Sequence, residues 1–510
     1  MAHIFNPSPQ QQDFFNWVDT GTGSLVLEAV AGAGKSTTLV KALQRMRGSV
    51  SLVVFNKNAV KDLKAKFEDN SAEMTNTNVR ITTMHGAGYS AWARHTSQSG
   101  LEVAVDELKV FRILDKAAQS KPEIGAVIPL VLKLVSFAKQ LLIGVDIMDG
   151  VEGKFFDVIE RFSLDADLPE DIDLNRVIRL AVWTMGQSHQ QCRTVIDYDD
   201  MIYAPVAHKL RMFQNDWVLI DEAQDTNPAR RALARMMLKP NGRLVAVGDS
   251  KQAIYGFTGA DSNALDLIAE QFRCARLPLT VIYRCPKAVV AYAHQWVSHI
   301  QAHETAPEGE VRPAHTEKDV PWYNVEVLSA KDAILCRYTR PLVGTAFALL
   351  RKGHACRIEG RDIGKQLVQL IRRWKSRNFD QLTEKMDAWV EKEKVKAEET
   401  RKPARLEAAQ DRVETVKVFI ERCRAENQHG IGDLIRQVEA LFGDDVKNVT
   451  VLSTIHKAKG REWPRVFWIQ TPPSGRKMKE WEIETEICCN YVAATRAQEA
   501  LILVPMESRK

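Results

Sequence analysis

The sequence predicts an α/β protein with two parallel-sheet cores, each interrupted by a mainly helical insertion. Several short apolar runs end in polar side chains, as in WVLIDEAQD at 217–225 and AILCRYTR at 333–340. Continuous apolar runs followed by loops and helices are typical of parallel strands buried on both faces. Residues 86–195 and 366–444 lack this rhythm and have helical patterns. We therefore expect them to be the two insertions.

The first predicted strand, SLVLEAV, leads into a loop of small residues. The segment AVAGAGKST (29–37) nearly matches the Walker A pattern, although Ala29 stands where the first glycine is expected. Small residues let backbone N–H groups surround phosphate oxygens, and a helix N-terminus adds positive potential. Lys35 is expected to reach the β- and γ-phosphates, and Ser36 to bind Mg²⁺. The loop residues predicted to bind a nucleoside triphosphate are Ala31, Gly32, Ala33, Gly34, Lys35, Ser36 and Thr37.

The most apolar long stretch of the chain is 124–145, within the first insertion. It contains Lys133 and Lys139, together with Pro129. Charged residues at these positions favour a buried core helix over a membrane span.

A pair of carboxylates ends the strand in WVLIDEAQD. A carboxylate at a strand end can hold Mg²⁺, directly or through water, and its neighbour can polarise an attacking water. Asp221 and Glu222 are weak evidence alone. Combined with the phosphate loop they predict a hydrolysis site, because hydrolysis requires both a group that holds the phosphates and carboxylates that hold the metal and polarise the water.

The next strand ends in Gly248–Asp249 and is followed by Gln252, which can donate a hydrogen bond to a γ-phosphate oxygen. Tyr255 and Phe257 come shortly after. Aromatic faces stack on unpaired bases, at ~1–3 kcal/mol per base. The short spacing predicts that this segment couples the contact of Gln252 with the γ-phosphate to the stacking of the two rings on nucleic-acid bases. The alternative is that both rings are core residues.

The second insertion, 366–444, is highly charged, and its sequence pattern predicts three helices. Pro403 is expected to separate the first two, and Gly430 and Gly432 to precede the third. Within it, IRRWKSR (371–377) combines cations with an aromatic ring. That cluster can touch nucleic acid or form a solvated helix face.

Composition bears on nucleic-acid binding, on metal sites and on the location of the protein in the cell. The chain has 510 residues, 45% of them apolar, and a net charge of +5, which is compatible with nucleic acid but not diagnostic of it. Eight cysteines without a Cys-x-x-Cys pattern argue against a zinc or iron–sulfur site and fit a reducing cytosol. The N-terminal segment lacks the apolar core of a signal peptide. We expect a cytoplasmic protein of a bacterial or phage-infected cell.

The motifs resemble, in order, those of superfamily 1 helicases of the UvrD/Rep type (SF1A), with features of the F-box DNA helicase branch. The resemblance covers most of the chain. Its segments are SPQQQDFF (8–15), AVAGAGKST (29–37), VVFNKNAV (53–60), TTMHGAGY (82–89), IDYDDMI (196–202), IDEAQD (220–225), GDSKQAIYGFTGAD (248–261), LTVIYRCP (279–286), LSTIHKAKGREWPRVFW (452–468) and NYVAATRAQEALIL (490–503).

The resemblance implies two RecA-like P-loop cores with ATP between them. The implied division is core 1A at 1–85 and 196–276, helical insertion 1B at 86–195, core 2A at 277–365 and 445–510, and a small charged insertion 2B at 366–444. That last insertion is shorter than is usual in the family and could also contact a protein partner. The few residues after Arg496 are expected to leave no room for a C-terminal nuclease.

The resemblance also implies roles in ATP binding and hydrolysis. Gln11 and Tyr283 would contact adenine and Glu462 the ribose, while Thr37 stands where many relatives carry an arginine against the base. Arg284 and Arg496 would reach the γ-phosphate. The implied catalytic set is Lys35, Asp221, Glu222, Gln252, Arg284 and Arg496. The metal ligands would be Ser36 and Asp221.

Five residues fall where the family contacts single-stranded DNA or couples it to ATP. They are Phe55, His85, Tyr255, Phe257 and His456. For both histidines, a purely structural role is the alternative.

The combined expectation is an ATP- and Mg²⁺-dependent translocase that moves 3′ to 5′ on single-stranded DNA, acts at junctions with duplex and unwinds it. One alternative is a translocase that strips proteins from single-stranded DNA without useful unwinding. Another is a DNA-triggered ATPase subunit of a larger repair or phage-defence complex.

Overall fold

The computed structural model separates by its contacts into two compact units. One holds Met1–Val30 and Gly34–Leu279, and the other holds Ala31–Ala33 and Thr280–Lys510. The division after Leu279 keeps the last strand of the first sheet within its own unit. The residues that the structure describes are 5–54, 57–69, 78–145, 150–162, 164, 173–254, 261, 263–317, 320–352, 354–399, 403–442, 448–471 and 480–505.

The first unit is built on a six-stranded sheet whose strands are all parallel, in the order β3-β2-β6-β7-β1-β8. Every residue of β2 is buried, as the continuous apolar run predicts. The strands of this unit are β1 Leu25–Ala29, β2 Val50–Val54, β3 Val79–Thr83, β4 Ala104–Val105, β5 Val195–Ile196, β6 Asn215–Ile220, β7 Leu238–Gly248 and β8 Ala275–Leu279. The short strands β4 and β5 pair with each other.

Helices fill the rest of the first unit. They are α1 Pro9–Thr20, α2 Lys35–Leu43, α3 Lys57–Asp69, α4 Met84–Ser97, α5 Lys109–Ser120, α6 Ile128–Gln140, α7 Val151–Phe162, α8 Leu174–Gln191, α9 Tyr198–Ala207, α10 Pro228–Met236 and α11 Ala264–Phe272. Helices α5 to α8 share a buried cluster, with residues such as Leu134, Phe155 and Ile178, to which α9 adds Tyr203. The helical character expected for 86–195 is thus present in its described residues.

The apolar stretch 124–145 is not one continuous helix. A 3₁₀ turn at Pro122–Val127 precedes α6, and Pro129 lies in the first helical turn, where its missing N–H costs nothing. The helix ends at Gln140, and Leu142 adopts a left-handed φ of 58°. Within the described part of the chain, no helix is long and apolar enough to cross a membrane.

A buried ionic network fixes α9 to the helical insertion. Lys139 on α6 places its ammonium 2.6 Å from a carboxylate oxygen of Asp197 and 2.8 Å from one of Asp200. Lys109 on α5 lies 2.7 Å from the other oxygen of Asp200. Burial lowers the pKa of Lys139, but Asp200 and Asp197 outweigh it and hold that pKa above its ordinary value. The network keeps α6 in register with the segment that leads into β6.

The second unit repeats the architecture with a parallel six-stranded sheet, in the order β11-β16-β15-β12-β14-β13. Two parallel sheets surrounded by helices confirm the predicted α/β class. The strands of this unit are β9 Val281–Ile282, β10 Gln301–Ala302, β11 Glu310–Pro313, β12 Ala333–Cys336, β13 Cys356–Glu359, β14 Thr450–Thr454, β15 Trp463–Gln470 and β16 Ala497–Pro505.

The charged insertion shares a single buried cluster with this sheet. That cluster joins Ile334 of β12 to Met386, Phe419 and Val438 of the insertion. Pro403 is the first residue of a helix, but Gly432 lies inside the third predicted helix and only Gly430 precedes it. The helices of this unit are α12 Lys287–Ala293, α13 Trp322–Val325, α14 Thr339–Arg351, α15 Arg361–Arg373, α16 Phe379–Glu399, α17 Pro403–Ala425, α18 Ile431–Leu441, α19 Ile455–Ala458 and α20 Glu480–Ala494.

Candidate active site

The small-residue loop lies between β1 and α2, where the Walker A pattern predicts it. Gly32 and Gly34 adopt left-handed φ values of 72° and 76°, which favour glycine. By its contacts, the segment Ala31–Ala33 belongs to the second unit. There the carbonyl of Gly32 accepts a hydrogen bond from the backbone N–H of Tyr283, at 2.9 Å. A Cβ on Gly32 would lie 2.7 Å from the Cβ of Arg284, so the position has no room for a side chain.

Lys35 begins α2 and points toward the carboxylates of the first unit. Its ammonium lies 3.8 Å from a carboxylate oxygen of Glu222 and 3.4 Å from the carbonyl of Ala29. Ser36 follows in the first turn of the helix, and Thr37 is exposed. A cation beside the phosphate loop and opposite a carboxylate is suited to binding a phosphate group.

Gln11 reaches the same helix from α1. Its side-chain amide donates to the hydroxyl of Thr38 at 2.8 Å, and that hydroxyl donates to the carbonyl of Gly34 at 3.0 Å. Its amide oxygen accepts from the backbone N–H of Ser8 at 2.9 Å and completes a capping box. Gln11 therefore lies beside the loop, and both ends of its amide are engaged within the protein.

Asp221 directly follows β6, at the carboxyl end of the sheet. Burial, reinforced by the negative charge of Glu222, raises the pKa of its carboxyl to about 7. Glu222 adopts a left-handed φ of 53°, which is uncommon for a residue with a side chain and is found most often at functional sites.

A chain of hydrogen bonds links these carboxylates to the segment after β7. The side-chain amide of Gln224 donates to Glu222, and its oxygen accepts from the backbone N–H of Asp249 at 3.1 Å. Asp249 in turn accepts from the side-chain amide of Gln252 at 2.8 Å. Gln252 is buried. The structure thus brings Glu222 and Gln252 into one network, with Gln224 as a linking residue that the motif analysis did not single out.

His85 lines the same pocket as Asp221 and Glu222. Burial and the nearby Arg230 lower the pKa of its imidazole to about 4, so the ring is neutral at neutral pH. The ring contacts Tyr198 edge-on, with centroids 6.4 Å apart. A residue predicted to contact DNA is therefore a neighbour of the strand-end carboxylates.

Tyr283 presents an aromatic ring in the second unit, with 39% of its surface exposed. It packs against the ring of His303, with centroids 4.6 Å apart and planes inclined by 32°. His303 follows β10, whose pairing with β9 brings the two rings together. No sequence motif marks His303, because the contact depends on this strand pairing.

Arg284 and Glu462 form an ion pair with each other. Glu462 also accepts a hydrogen bond from the side-chain amide of Gln498 at 3.0 Å. The resemblance assigned these two residues to different parts of the nucleotide, the phosphate and the ribose. The structure brings them into direct contact within the second unit.

Arg496 is buried, with 1% of its surface exposed. Its Nε donates to the carbonyl of Val492 at 2.9 Å, and one terminal nitrogen donates to the carbonyl of Arg461 at 3.1 Å. The other terminal nitrogen donates to the hydroxyl of Thr495 at 3.1 Å. The guanidinium therefore clamps the segments around 461 and 492–496 together, which the motif alone did not indicate.

His456 is partly buried at the start of α19. Burial, with Arg337 and Lys459 nearby, lowers the pKa of its imidazole to about 3. Its Nδ1 lies 3.4 Å from a terminal nitrogen of Arg337. The three aromatic residues predicted to contact DNA, Phe55, Tyr255 and Phe257, lie outside the described residues.

The histidine burial predicts an acid-dependent loss of stability. Between pH 6.5 and about 3 the unfolded chain binds a proton at His456 that the folded state excludes, so stability falls as pH decreases through this window. One such group contributes at most ~1.4 kcal/mol per pH unit. In urea unfolding at pH 5 and pH 7.5, we expect His456→Gln to show a smaller pH dependence than the wild type. The exposed-site variant His315→Gln should retain the full dependence, and an unchanged slope in His456→Gln would contradict the assignment.

A parallel sheet with a phosphate loop after one strand and paired carboxylates after another defines a P-loop nucleotide-binding protein. Residues 9–273 match the family described as UvrD/REP helicase N-terminal domain, and residues 450–504 match the UvrD-like helicase C-terminal domain. The chain belongs to the UvrD/REP helicase family. The resemblance seen in the motifs is thereby confirmed, and the affinity to the F-box branch stays a prediction.

Curated relatives are similar over about half of this chain. The ATP-dependent DNA helicase PcrA of Staphylococcus epidermidis is 25% identical over 313 residues, which is 57% of this chain and 40% of the relative. The ATP-dependent DNA helicase Rep of Escherichia coli is 23% identical over 287 residues, 52% of this chain and 39% of the relative. A probable DNA helicase II homolog of Mycoplasma pneumoniae is 23% identical over 311 residues, 57% and 42% of the two chains.

Proposed function

We propose that this protein is an ATP- and Mg²⁺-dependent DNA helicase that moves 3′ to 5′ along single-stranded DNA and unwinds duplex. The observation that carries the proposal is the hydrogen-bonded chain from Glu222 through Gln224 and Asp249 to Gln252. It links the strand-end carboxylates to the segment that leads to the predicted base-stacking residues. Family membership and the names of the PcrA and Rep relatives support the same reading.

The residues beside the phosphate loop fit Mg²⁺. Hydroxyl and carboxylate oxygens are the ligands that this ion prefers, and Ser36 and Asp221 would supply them. Desolvation and the charge of Glu222 raise the pKa of Asp221 and so disfavour its negative charge, a cost that a bound cation would relieve. When bound, Mg²⁺ would neutralise charge on the phosphate oxygens.

Each remaining side chain has a distinct proposed role. Lys35 holds the phosphates, and Glu222 orients and polarises the attacking water. Gln252, Arg284 and Arg496 stabilise the charge that develops on the transferring group. For Arg496 this requires that its guanidinium leave the carbonyl groups it now binds. Tyr283, Gln11 and Glu462 are proposed to contact the nucleoside.

The division into 1A, 1B, 2A and 2B is likewise a proposal. The separate buried cluster of helices α5 to α8 supports 1B as a distinct part. The insertion 366–444 instead shares its core with the second sheet. A rigidly packed insertion supports a proposed role as a fixed DNA-contacting surface.

ATP hydrolysis by the purified protein, with and without single-stranded DNA, tests the proposed function. Strong stimulation by DNA is expected, followed by unwinding of 3′-tailed but not 5′-tailed duplexes. Stimulation with displacement of bound proteins but no unwinding would favour the stripping translocase. Stimulation without either activity would favour an ATPase subunit of a larger complex. A rate of ATP hydrolysis that is the same with and without DNA would contradict the proposal.

The basic turn at 372–377, which is formed by the end of α15 and the residues directly after it, supports a duplex contact. Arg372, Arg373, Lys375 and Arg377 are all exposed, and within the described residues none has a carboxylate at ion-pair distance. Trp374 points inward and packs against Trp389, with ring centroids 5.8 Å apart. The turn therefore offers charge without a stacking ring, which suits the phosphate backbone of duplex DNA.

The turn is also held in place by specific hydrogen bonds. The ammonium of Lys385 donates to the carbonyl of Trp374 at 2.8 Å, and the side chain of Gln381 accepts from the backbone N–H of Arg377 at 2.8 Å. Lys375 is held at a left-handed φ of 45°. A fixed basic turn loses little conformational entropy when it binds an anionic backbone.

Neutralising two cations of this turn is expected to weaken binding to forked duplex. For Arg372→Gln/Arg377→Gln, the slope of log affinity against log salt should fall by ~2, because ~0.9 counterion is released per phosphate contact. Binding to short single strands and their stimulation of ATPase should not change. The matched control is Arg424→Gln/Arg436→Gln, which removes two exposed arginines already paired with Asp380 and Asp433. Equal salt slopes in the two double variants would contradict the duplex contact.

A further inference from the structure

The carboxylate of Asp261 lies between two arginines from different helices. One oxygen lies 2.8 Å from a terminal nitrogen of Arg231 on α10, and the other lies 3.1 Å from a terminal nitrogen of Arg161 on α7. Asp261 and Arg231 are both buried, whereas half of the Arg161 side chain is exposed. The carboxylate ends the segment that begins with Gln252.

The two arginines contribute differently to folding. A buried carboxylate needs one compensating cation, and Arg231 supplies it. Arg161 is not required for that balance, and a half-exposed ion pair contributes only ~0–1 kcal/mol to stability. The contact between Arg161 and Asp261 therefore matters less for stability than for the two parts of the molecule that it connects, the segment after β6 and the helical insertion.

On one side, Asp261 is tied to the carboxylate end of β6. Its backbone N–H donates to the carbonyl of Thr226 at 3.4 Å. The hydroxyl of Thr226 donates to the carbonyl of Ala223 at 2.8 Å, next to Glu222. A shift of the strand-end segment on nucleotide binding would therefore be passed to Asp261.

On the other side, Arg161 is part of the helical insertion. Its guanidinium lies over the ring of Phe162, which stacks on Phe137 of α6 with centroids 4.2 Å apart. Phe137 belongs to the buried cluster of α5 to α8, and the partly buried Phe162 packs against that cluster. Movement at Arg161 would therefore be transmitted to the insertion as a packed body.

We propose that Arg161 is a positioning residue that couples the nucleotide site to the helical insertion through Asp261. This inference rests on the proposed helicase function. Arg161 touches no reacting atom, so basal hydrolysis should not depend on it. The increase in hydrolysis caused by DNA should depend on it, because that increase requires the two sites to communicate.

The test is Arg161→Met, which keeps an unbranched apolar stem and removes the guanidinium and its charge. We expect an unchanged melting temperature and basal kcat, with stimulation by single-stranded DNA reduced at least ~5-fold, the lower end of typical coupling between sites. Arg161→Lys should recover part of the stimulation. The matched control is Arg176→Met on α8, an exposed arginine whose carboxylate partner, Glu123, lies 3.8 Å away. It should behave as the wild type.

Two results would overturn the proposal. One is normal DNA stimulation in Arg161→Met. The other is a parallel loss of melting temperature and basal hydrolysis, which would show a purely structural role. A wild-type enzyme without DNA stimulation would instead refute the proposed function. The link would then be judged by hydrogen exchange, since an ATP analogue should alter exchange in α7 of the wild type but not of Arg161→Met, and equal changes would reject it.

Discussion

Replacing Lys35 by alanine or Glu222 by glutamine is expected to abolish ATP turnover while leaving DNA binding largely intact. Lys35 supplies the ammonium beside the loop, and Glu222 supplies the carboxylate 3.8 Å from it. Removing one group that stabilises or positions the reacting atoms commonly reduces kcat by ~10²–10³. Either variant should therefore lose ATP turnover, whereas DNA binding, in which neither side chain has a proposed role, should remain.

Steady-state hydrolysis and equilibrium binding to a labelled single strand measure the two halves of this prediction. Lys41→Ala is the matched control for Lys35→Ala, because Lys41 lies further along the same helix, α2. The control should retain full turnover. Normal turnover in Lys35→Ala or Glu222→Gln would refute the site assignment, and loss of DNA binding equal to the loss of turnover would point to a folding defect.

Replacing Lys139 by methionine is expected to destabilise the first unit by ~3–5 kcal/mol, because breaking one side of a buried ion pair leaves an uncompensated charge. Lys139 contacts both Asp197 and Asp200, and its side chain is 2% exposed. The free energy of unfolding in urea, followed by far-UV circular dichroism, measures the effect. The two units must be followed as separate transitions where they unfold separately.

Two further variants distinguish the loss of charge compensation from the loss of packing. Lys133→Met removes an exposed lysine from the same helix and should change stability by less than ~0.5 kcal/mol. Lys139→Met/Asp197→Asn removes a charge from each side of the network and should recover part of the loss. If the single and double variants are equally unstable, the cost comes from packing rather than from charge.

The sequence predicted the parts of the site that depend on strand ends. Lys35, Asp221 and Gln252 each follow an apolar run, and parallel strands place their carboxyl ends at one edge of a sheet. Their positions therefore follow from a pattern that covers a few residues. The fold class was predictable for the same reason, since continuous apolar runs such as β2 and β12 require burial on both faces.

Side-chain partners that depend on distant backbone could not be predicted. Arg496 donates to the carbonyl of Arg461, 35 residues earlier in the chain, and no local pattern encodes such a contact. His303 meets Tyr283 only because β9 pairs with β10. The buried core helix predicted within 124–145 is α6, but its bounds could not be predicted, because apolar content alone does not reveal the 3₁₀ turn at Pro122–Val127 or the left-handed residue Leu142.

The strand order of the first sheet has a consequence for synthesis of the protein. β1 is flanked by β7 and β8, so the ribosome must add more than two hundred residues after Ala29 before either neighbour is complete. At ~5–20 residues per second, an apolar strand waits tens of seconds for its partners. During this time β1 has unpaired backbone groups at both edges and can associate with other chains. The waiting time is much longer than the time in which the helices of the same chain form. Expression yield should consequently depend on chaperone supply as well as on the stability of the finished protein.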